Sequence, residues 1–251
     1  MNRHPSRKRR AAVSILGAVA LMTGLPAVAQ AAPPSALPAD AGKEAMKWQP
    51  AFDYDGDGCY PTPAVGRDGR VARGLKTSGA VDGNCRDRSD LDNTNSYVRS
   101  KCNHGWCAYV YALYFEKDQA SFAGGGHTHD FEHVVVWVSR DQARYVSVSA
   151  HGEYTTRAAT AVEWSGTHAR VVYHKGLTHS FRFAKSGEHP ENHYGAWQYP
   201  TLVGWNGFPP GIREKLVNAN FSPASLGIKD STFAGELKKA KPANVPFNPN
   251  A

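Results

Sequence analysis

After residue 28 the sequence contains no apolar run that could cross a bilayer, where a helix needs about 20 consecutive apolar residues. Membrane-spanning helices are thereby excluded from that part of the chain. Paired C-x-x-C spacing is also missing, so Cys59, Cys85, Cys102 and Cys107 do not read as a zinc–thiolate site. There is no internal repeat and no regular alternation of strand and helix patterns, which sets aside a parallel α/β fold. Acidic residues are absent from residues 1–31, where five Lys/Arg fall. Discounting that segment takes the formal net charge from +7 to +2. The basicity is concentrated at one end, and nucleic acid is not expected as a partner.

That end reads as a secretory signal peptide. Arg7, Lys8, Arg9 and Arg10 precede an apolar run from Ala11 to Val28, and Ala29-Gln30-Ala31 fits a small-x-small cleavage site. Ser14, Gly17, Thr23, Gly24 and Pro26 interrupt the run and argue against an anchor. The Arg9-Arg10 pair is compatible with general or twin-arginine export. The expected plan is a signal peptide over 1–31, a flexible Ala/Pro-rich leader over 32–47, and one domain over 48–251, secreted and large enough for a real core. In an exported chain an even cysteine count reads as two disulfides. Cys102 and Cys107 enclose only Asn-His-Gly-Trp, so a local bridge is natural, leaving Cys59 with Cys85.

Residues 48–100 are rich in Gly, Asp, Asn and Pro and predict loop-rich structure. From Trp106 the character changes. Residues 106–115 are continuously apolar and aromatic, as expected of a strand buried on both faces. Residues 133–138, 145–150, 169–174 and 179–184 continue the pattern at hairpin-like spacing. Two helices are predicted late, over 209–220 and 231–241, the second with Ser231 as its cap. The class is mainly β: a sandwich with a few flanking helices.

Between these strands lies the chemistry. Gly124 to Val138 reads GGGHTHDFEHVVVWV, a polar loop leading straight into an apolar strand. Asp130 and Glu132 are hard oxygen ligands and His127 a nitrogen donor, while Asp118 ends the preceding strand. Carboxylates plus one imidazole, converging at a sheet edge, suit a divalent cation, Mg²⁺ or Ca²⁺, better than zinc. Neighbouring zinc-enzyme patterns fail on spacing: H-x-H-x-D-H needs an acid at 131, where Phe stands. The distal histidines (His151, His168, His174, His179, His189 and His193) supply no matching frame. A metal-dependent hydrolase remains the rival reading, with a non-lytic carbohydrate-binding protein as the third. Asp53, Asp55 and Asp57 imitate the start of an EF-hand loop, but position 64 is Ala rather than the closing Glu. They mark a second, incomplete calcium site or a plain turn. The aromatic stretch from Trp197 to Phe208 is core or, being punctuated by Gly and Pro, a loop that dips into a head-group layer.

GHTHDFEHVVVWV resembles the signature G-H-R-H-D-W-E followed by H-V-V-V-W of the necrosis- and ethylene-inducing peptide 1-like proteins. CYPTPAVGRDG, YALYFEKD and SAHGEY resemble further stretches of that family, so the likeness runs from about Trp48 to Lys239. Thr128 and Phe131 stand where the signature has Arg and Trp. The pair Cys102/Cys107 with FDYDGDG is similar to the subgroup having a second disulfide and a suggested calcium motif. The resemblance implies a secreted cytolysin with an actinoporin- and lectin-like sandwich and no enzymatic turnover; a monomer is expected. It implies peripheral contact with plant membranes through glycosyl inositol phosphoryl ceramide head groups, shaped by a bound divalent cation. By position, Asp118, His127, Asp130 and Glu132 would hold the metal, with His129, His133 and His151 in support.

Overall fold

In the computed structural model, Met1 and residues 32–251 are described; the signal-peptide expectation for 1–31 lies outside the described residues. The body begins with α1 (Lys43–Lys47) and β1 (Ala51–Tyr54), then α2 (Arg88–Leu91) and the long antiparallel run β2 (Asn95–Asn103), β3 (Trp106–Ser121), β4 (Gly124–Ser139), β5 (Gln142–Ala150) and β6 (Glu153–Ala158). After these come β7 (Trp164–Ser165), β8 (His168–Lys175), β9 (His179–Phe183), β10 (Thr201–Gly204), α3 (Ile212–Asn218) and α4 (Asp230–Ala240). One sheet has six strands in the order β10-β2-β3-β4-β5-β6, and the other has β1, β8 and β7 in a row with β9 paired to β8.

The packing explains why β3 and β4 are apolar throughout. One face of the six-stranded sheet meets the smaller sheet, burying Phe52, Leu113, Phe115, Val134, Val146 and Tyr173. Its other face is covered by α3, α4 and the C-terminal segment, burying Tyr114, Val135, Trp137, Leu216, Phe233 and Phe247. Buried on both sides, these central strands carry no exposed polar alternation. The mainly β sandwich with flanking helices is as expected.

Several local expectations differ. β2 and β10 lie in stretches that sequence periodicity leaves as loop, because their register is set by neighbours (Tyr97 opposite Ala112, Val203 beside Tyr97). The leader over 32–47 docks on the body of the protein. Leu37 is buried, its backbone N–H donates to Asn95 Oδ1 at 2.8 Å, and Asp40 bridges to Val203. The short helix α1 adds Ala45, packed against the cluster of Trp48, Tyr109 and Tyr111. The second late helix starts at Asp230 after Lys229, and Ser231 does not cap it.

Both bridges form as expected, Cys59–Cys85 and Cys102–Cys107. The first ties β1's exit to a loop 26 residues later; the second spans a cross-strand pair of β2 and β3. Loop-closure entropy makes the first worth about 3.5 kcal/mol and the second about 2 kcal/mol. Urea unfolding of Cys59→Ala/Cys85→Ala should therefore show the larger loss of the two double variants. Equal losses would mean that strain, not chain entropy, sets their value.

Candidate functional site

The polar stretch that reads as a loop is strand. Residues 124–139 form β4 without interruption, and Asp118 of β3 lies directly opposite His127. Simple alternation would put His127 on the opposite face from Asp130 and Glu132. His129 prevents this: its φ of 63° breaks the alternation, so all three line one cavity with Asp118. Gly74 packs closely on the His129 side chain: a Cβ there would lie 2.8 Å from His129 Nδ1 and 2.9 Å from the Glu116 carbonyl. The cavity holds about 420 Å³ and is closed by the 151–152 turn, the 223–225 segment and Glu236 and Lys239 of α4.

Each candidate ligand has a distinct support. Asp118 is buried and its Oδ1 accepts two hydrogen bonds from His179, from the backbone N–H at 2.7 Å and from Nδ1–H at 2.8 Å. His179 Nε2–H donates to the Asp57 carbonyl at 2.8 Å. Both ring nitrogens thus face acceptors, so the ring is an imidazolium paired with a buried carboxylate. Burial opposes the charge on each partner, but for Asp118 the bonds from His179 outweigh it and hold the carboxyl below its usual range. For His179 the bonds to Asp118 and Asp57 likewise outweigh burial and raise its pKa. His127 Nδ1–H donates to the His129 carbonyl at 2.7 Å, which directs Nε2 toward Asp118 Oδ2, 3.7 Å away.

Asp130 and Glu132 complete a crowd of acids. Tyr173 donates to Asp130 Oδ2 at 2.9 Å, and Ser149 donates to Glu132 Oε2. Burial, then the charge of Asp118, pushes Asp130 up to about 7; burial, then Asp130, raises Glu132 well above the carboxylate range. His127 Nε2 and Asp118 Oδ2 face each other, and two acids that resist ionising lie beside them, so the cavity gathers oxygen and nitrogen donors, with His179 and Lys239 as the cations of its wall. The donor chemistry therefore fits a hard divalent ion. The geometry fits less well. Among the described residues no three His, Cys, Asp or Glu side chains stand ready to hold a metal. Asp130 and Glu132 would have to turn from Tyr173 and Ser149 to join.

The expected supporting histidines are placed differently. The His129 ring bonds Tyr114 at 2.7 Å and packs on Phe221, so only its carbonyl serves the site. His133 Nε2 accepts from Gly227 N–H at 3.0 Å and pins the 223–227 segment that walls the cavity. Burial lowers its pKa to about 4. His151 lines the cavity and touches Thr178 at 3.2 Å. The groups in direct contact with the ligands are His179, Tyr173 and Ser149, which sequence spacing does not single out, because they lie on β9, β8 and β5.

The second calcium site is not assembled. Asp53 accepts from Glu191 N–H and Asn192 Nδ2, Asp55 pairs with Arg182, and Asp57 Oδ1 accepts from Lys175 N–H. Three carboxylates committed to three different partners form a turn clamp, not an oxygen cage. Thr128, at the signature's Arg position, donates to the Leu75 carbonyl at 2.9 Å. Phe131, at the Trp position, is buried against Tyr114 and Phe221.

A family model described as Necrosis inducing protein (NPP1) matches residues 42–240. NLP effector protein 10 of Phytophthora capsici is 32% identical over 192 residues, 73% of this chain and 77% of that protein. Among solved structures, NLPPya in complex with mannosamine aligns with a TM-score of 0.71 at 30% identity, covering 83% of this chain and 96% of that one. The non-toxic HaNLP3 protein aligns with a TM-score of 0.72 at 26% identity, covering 84% of this chain and 99% of that one.

Proposed function

The chain belongs to the necrosis inducing protein (NPP1) family, and on that footing we propose that it is a secreted cytolysin that binds sugar head groups of plant glycosyl inositol phosphoryl ceramides. Asp118, His127, Asp130 and Glu132 would hold a divalent cation, Mg²⁺ or Ca²⁺, whose charge would favour sugar hydroxyls at the cavity mouth. The observation that carries the reading is the acid-crowded cavity itself. Asp118 is held ionised by His179 while Asp130 and Glu132 resist ionisation beside it. A purely structural cluster would be better served by amides.

The chain's own residues do the positioning. His179 fixes Asp118, the His129 carbonyl fixes the His127 tautomer, and His133 holds the 223–227 wall in place. Sugar recognition is supported by the relative bound to mannosamine. Relatives are named effectors, and this supports stoichiometric action over the hydrolase alternative. Non-lytic sugar binding is the second reading, and the similarity to a non-toxic relative favours it.

Release of a trapped dye from vesicles carrying the plant sphingolipid, with cation and with chelator, tests both. Lysis should occur with the cation and stop with chelator. Vesicles that bind the protein without leaking would favour the second reading, and turnover of the head group would favour the hydrolase.

A further inference from the structure

In the aromatic stretch from Trp197 to Phe208, Trp197, Trp205 and Phe208 are committed to the protein itself, while Tyr199 is 46% exposed. Trp197 lies beside the Arg170 guanidinium at 5.3 Å, Trp205 beside Arg99 at 4.8 Å and Arg213 at 5.5 Å, and Phe208 stacks on Tyr97. The most exposed large apolar side chains of residues 32–251 are elsewhere: Phe122 at 77% and Leu177 at 83%. Scattered exposed apolar residues need no explanation. These two are not scattered.

Phe122 sits in the turn between Ser121 and Gly124, at the end of the β3–β4 hairpin that carries Asp118 and His127. Leu177 sits in the turn between Lys175 and His179, and His179 binds Asp118 directly. Its neighbour Thr178 touches His151 of the cavity wall. Both tips therefore lie on turns that lead directly into residues lining the same cavity. Each has a lysine at its base. Lys175 flanks the Leu177 turn, and exposed Lys76 precedes Thr77, whose carbonyl packs against Gly124. Apolar tip with basic collar is the pattern of a group that enters the interfacial layer while its cations meet phosphates.

We infer that Phe122 and Leu177 are paired apolar anchors that enter the interface of a lipid bilayer held against the cavity mouth. The inference rests on the head-group reading above, which supplies the membrane. Two side chains are a weak anchor alone, as is one lipid chain, so insertion adds to head-group binding rather than replacing it.

The test separates the two ideas. Phe122→Trp, Leu177→Trp and, as control, Met46→Trp are tethered by a flexible histidine tag to phosphatidylcholine vesicles containing nickel-chelating lipid and brominated acyl chains. Met46 is next to Lys47, which pairs with Asp141 at the far end of β4. Added emission at 122 and at 177 should be quenched, and that at 46 should not. Absence of quenching at either tip overturns the paired anchor. Untethered, on vesicles bearing the plant sphingolipid, Phe122→Ser and Leu177→Ser should each weaken binding about tenfold. Mg²⁺ titration of the soluble variants should be unchanged, since neither side chain lines the cavity. If the unaltered protein ignores those vesicles, the head-group reading falls, while the tethered result still decides the anchor.

Discussion

Asp130→Asn should raise the melting temperature of the cation-free protein and, on the proposed ligand set, weaken cation binding in the same step. Asp130 is buried, and burial together with the charge of Asp118 pushes its carboxyl up to about 7. At pH 8 the folded protein must therefore ionise a group that the unfolded chain ionises freely near 4, and folding bears that difference. Asn keeps the shape and can still accept from Tyr173 through its amide oxygen. Loss of the charge should raise the melting temperature by roughly 5 °C at pH 8.

The same change takes away a hard oxygen donor, and Mg²⁺ or Ca²⁺ affinity should fall by about a hundredfold or more. Asp118→Asn should move stability the other way. His179 holds Asp118 ionised, so neutralising it strips a buried imidazolium of its partner and lowers the melting temperature. Scanning calorimetry with chelator, followed by cation titration, reads both variants. Two variants that shift in the same direction would show that the cavity does not separate one stabilised charge from one strained charge. An Asp130→Asn variant with undiminished affinity would remove Asp130 from the ligand set.

The difference between those two aspartates was not legible in the sequence. Both follow from the spacing as hard ligands near one sheet edge. What separates them is His179, on β9 and 61 residues after Asp118, and Tyr173 on β8, brought in by the smaller sheet. The core strands were legible because burial on both faces leaves an unbroken apolar run. The disulfides were legible because short spacing and export restrict the pairings. The αL backbone at His129 was not, since nothing in the local residue pattern marks a positive φ within a strand. Asp53, Asp55 and Asp57 imitate a calcium loop: their true partners, Glu191, Asn192, Arg182 and Lys175, lie far along the chain.

Cation affinity should rise steeply with pH between about 6 and 8. Without cation, Asp130 titrates at about 7 and Glu132 well above the carboxylate range, so near neutrality the cavity retains protons. Asp118, held below the usual range, stays ionised throughout. A divalent ion favours the anionic forms and must displace those protons, so affinity gains about tenfold per pH unit for each proton released. The stability sign follows from the same shift. The folded pKa of Asp130 is raised, so between about 4 and 7 the folded protein binds more protons than the unfolded chain. Cation-free stability therefore falls as pH rises through that window, and saturating cation offsets the fall. The increase in melting temperature on adding Mg²⁺ or Ca²⁺ should be small at pH 6 and large at pH 8. Titration calorimetry in buffers of different ionisation heat counts the protons directly. An affinity that is flat across this range, with no proton release, would mean that Asp130 and Glu132 do not meet the ion, leaving Asp118 and His127 as its only protein ligands.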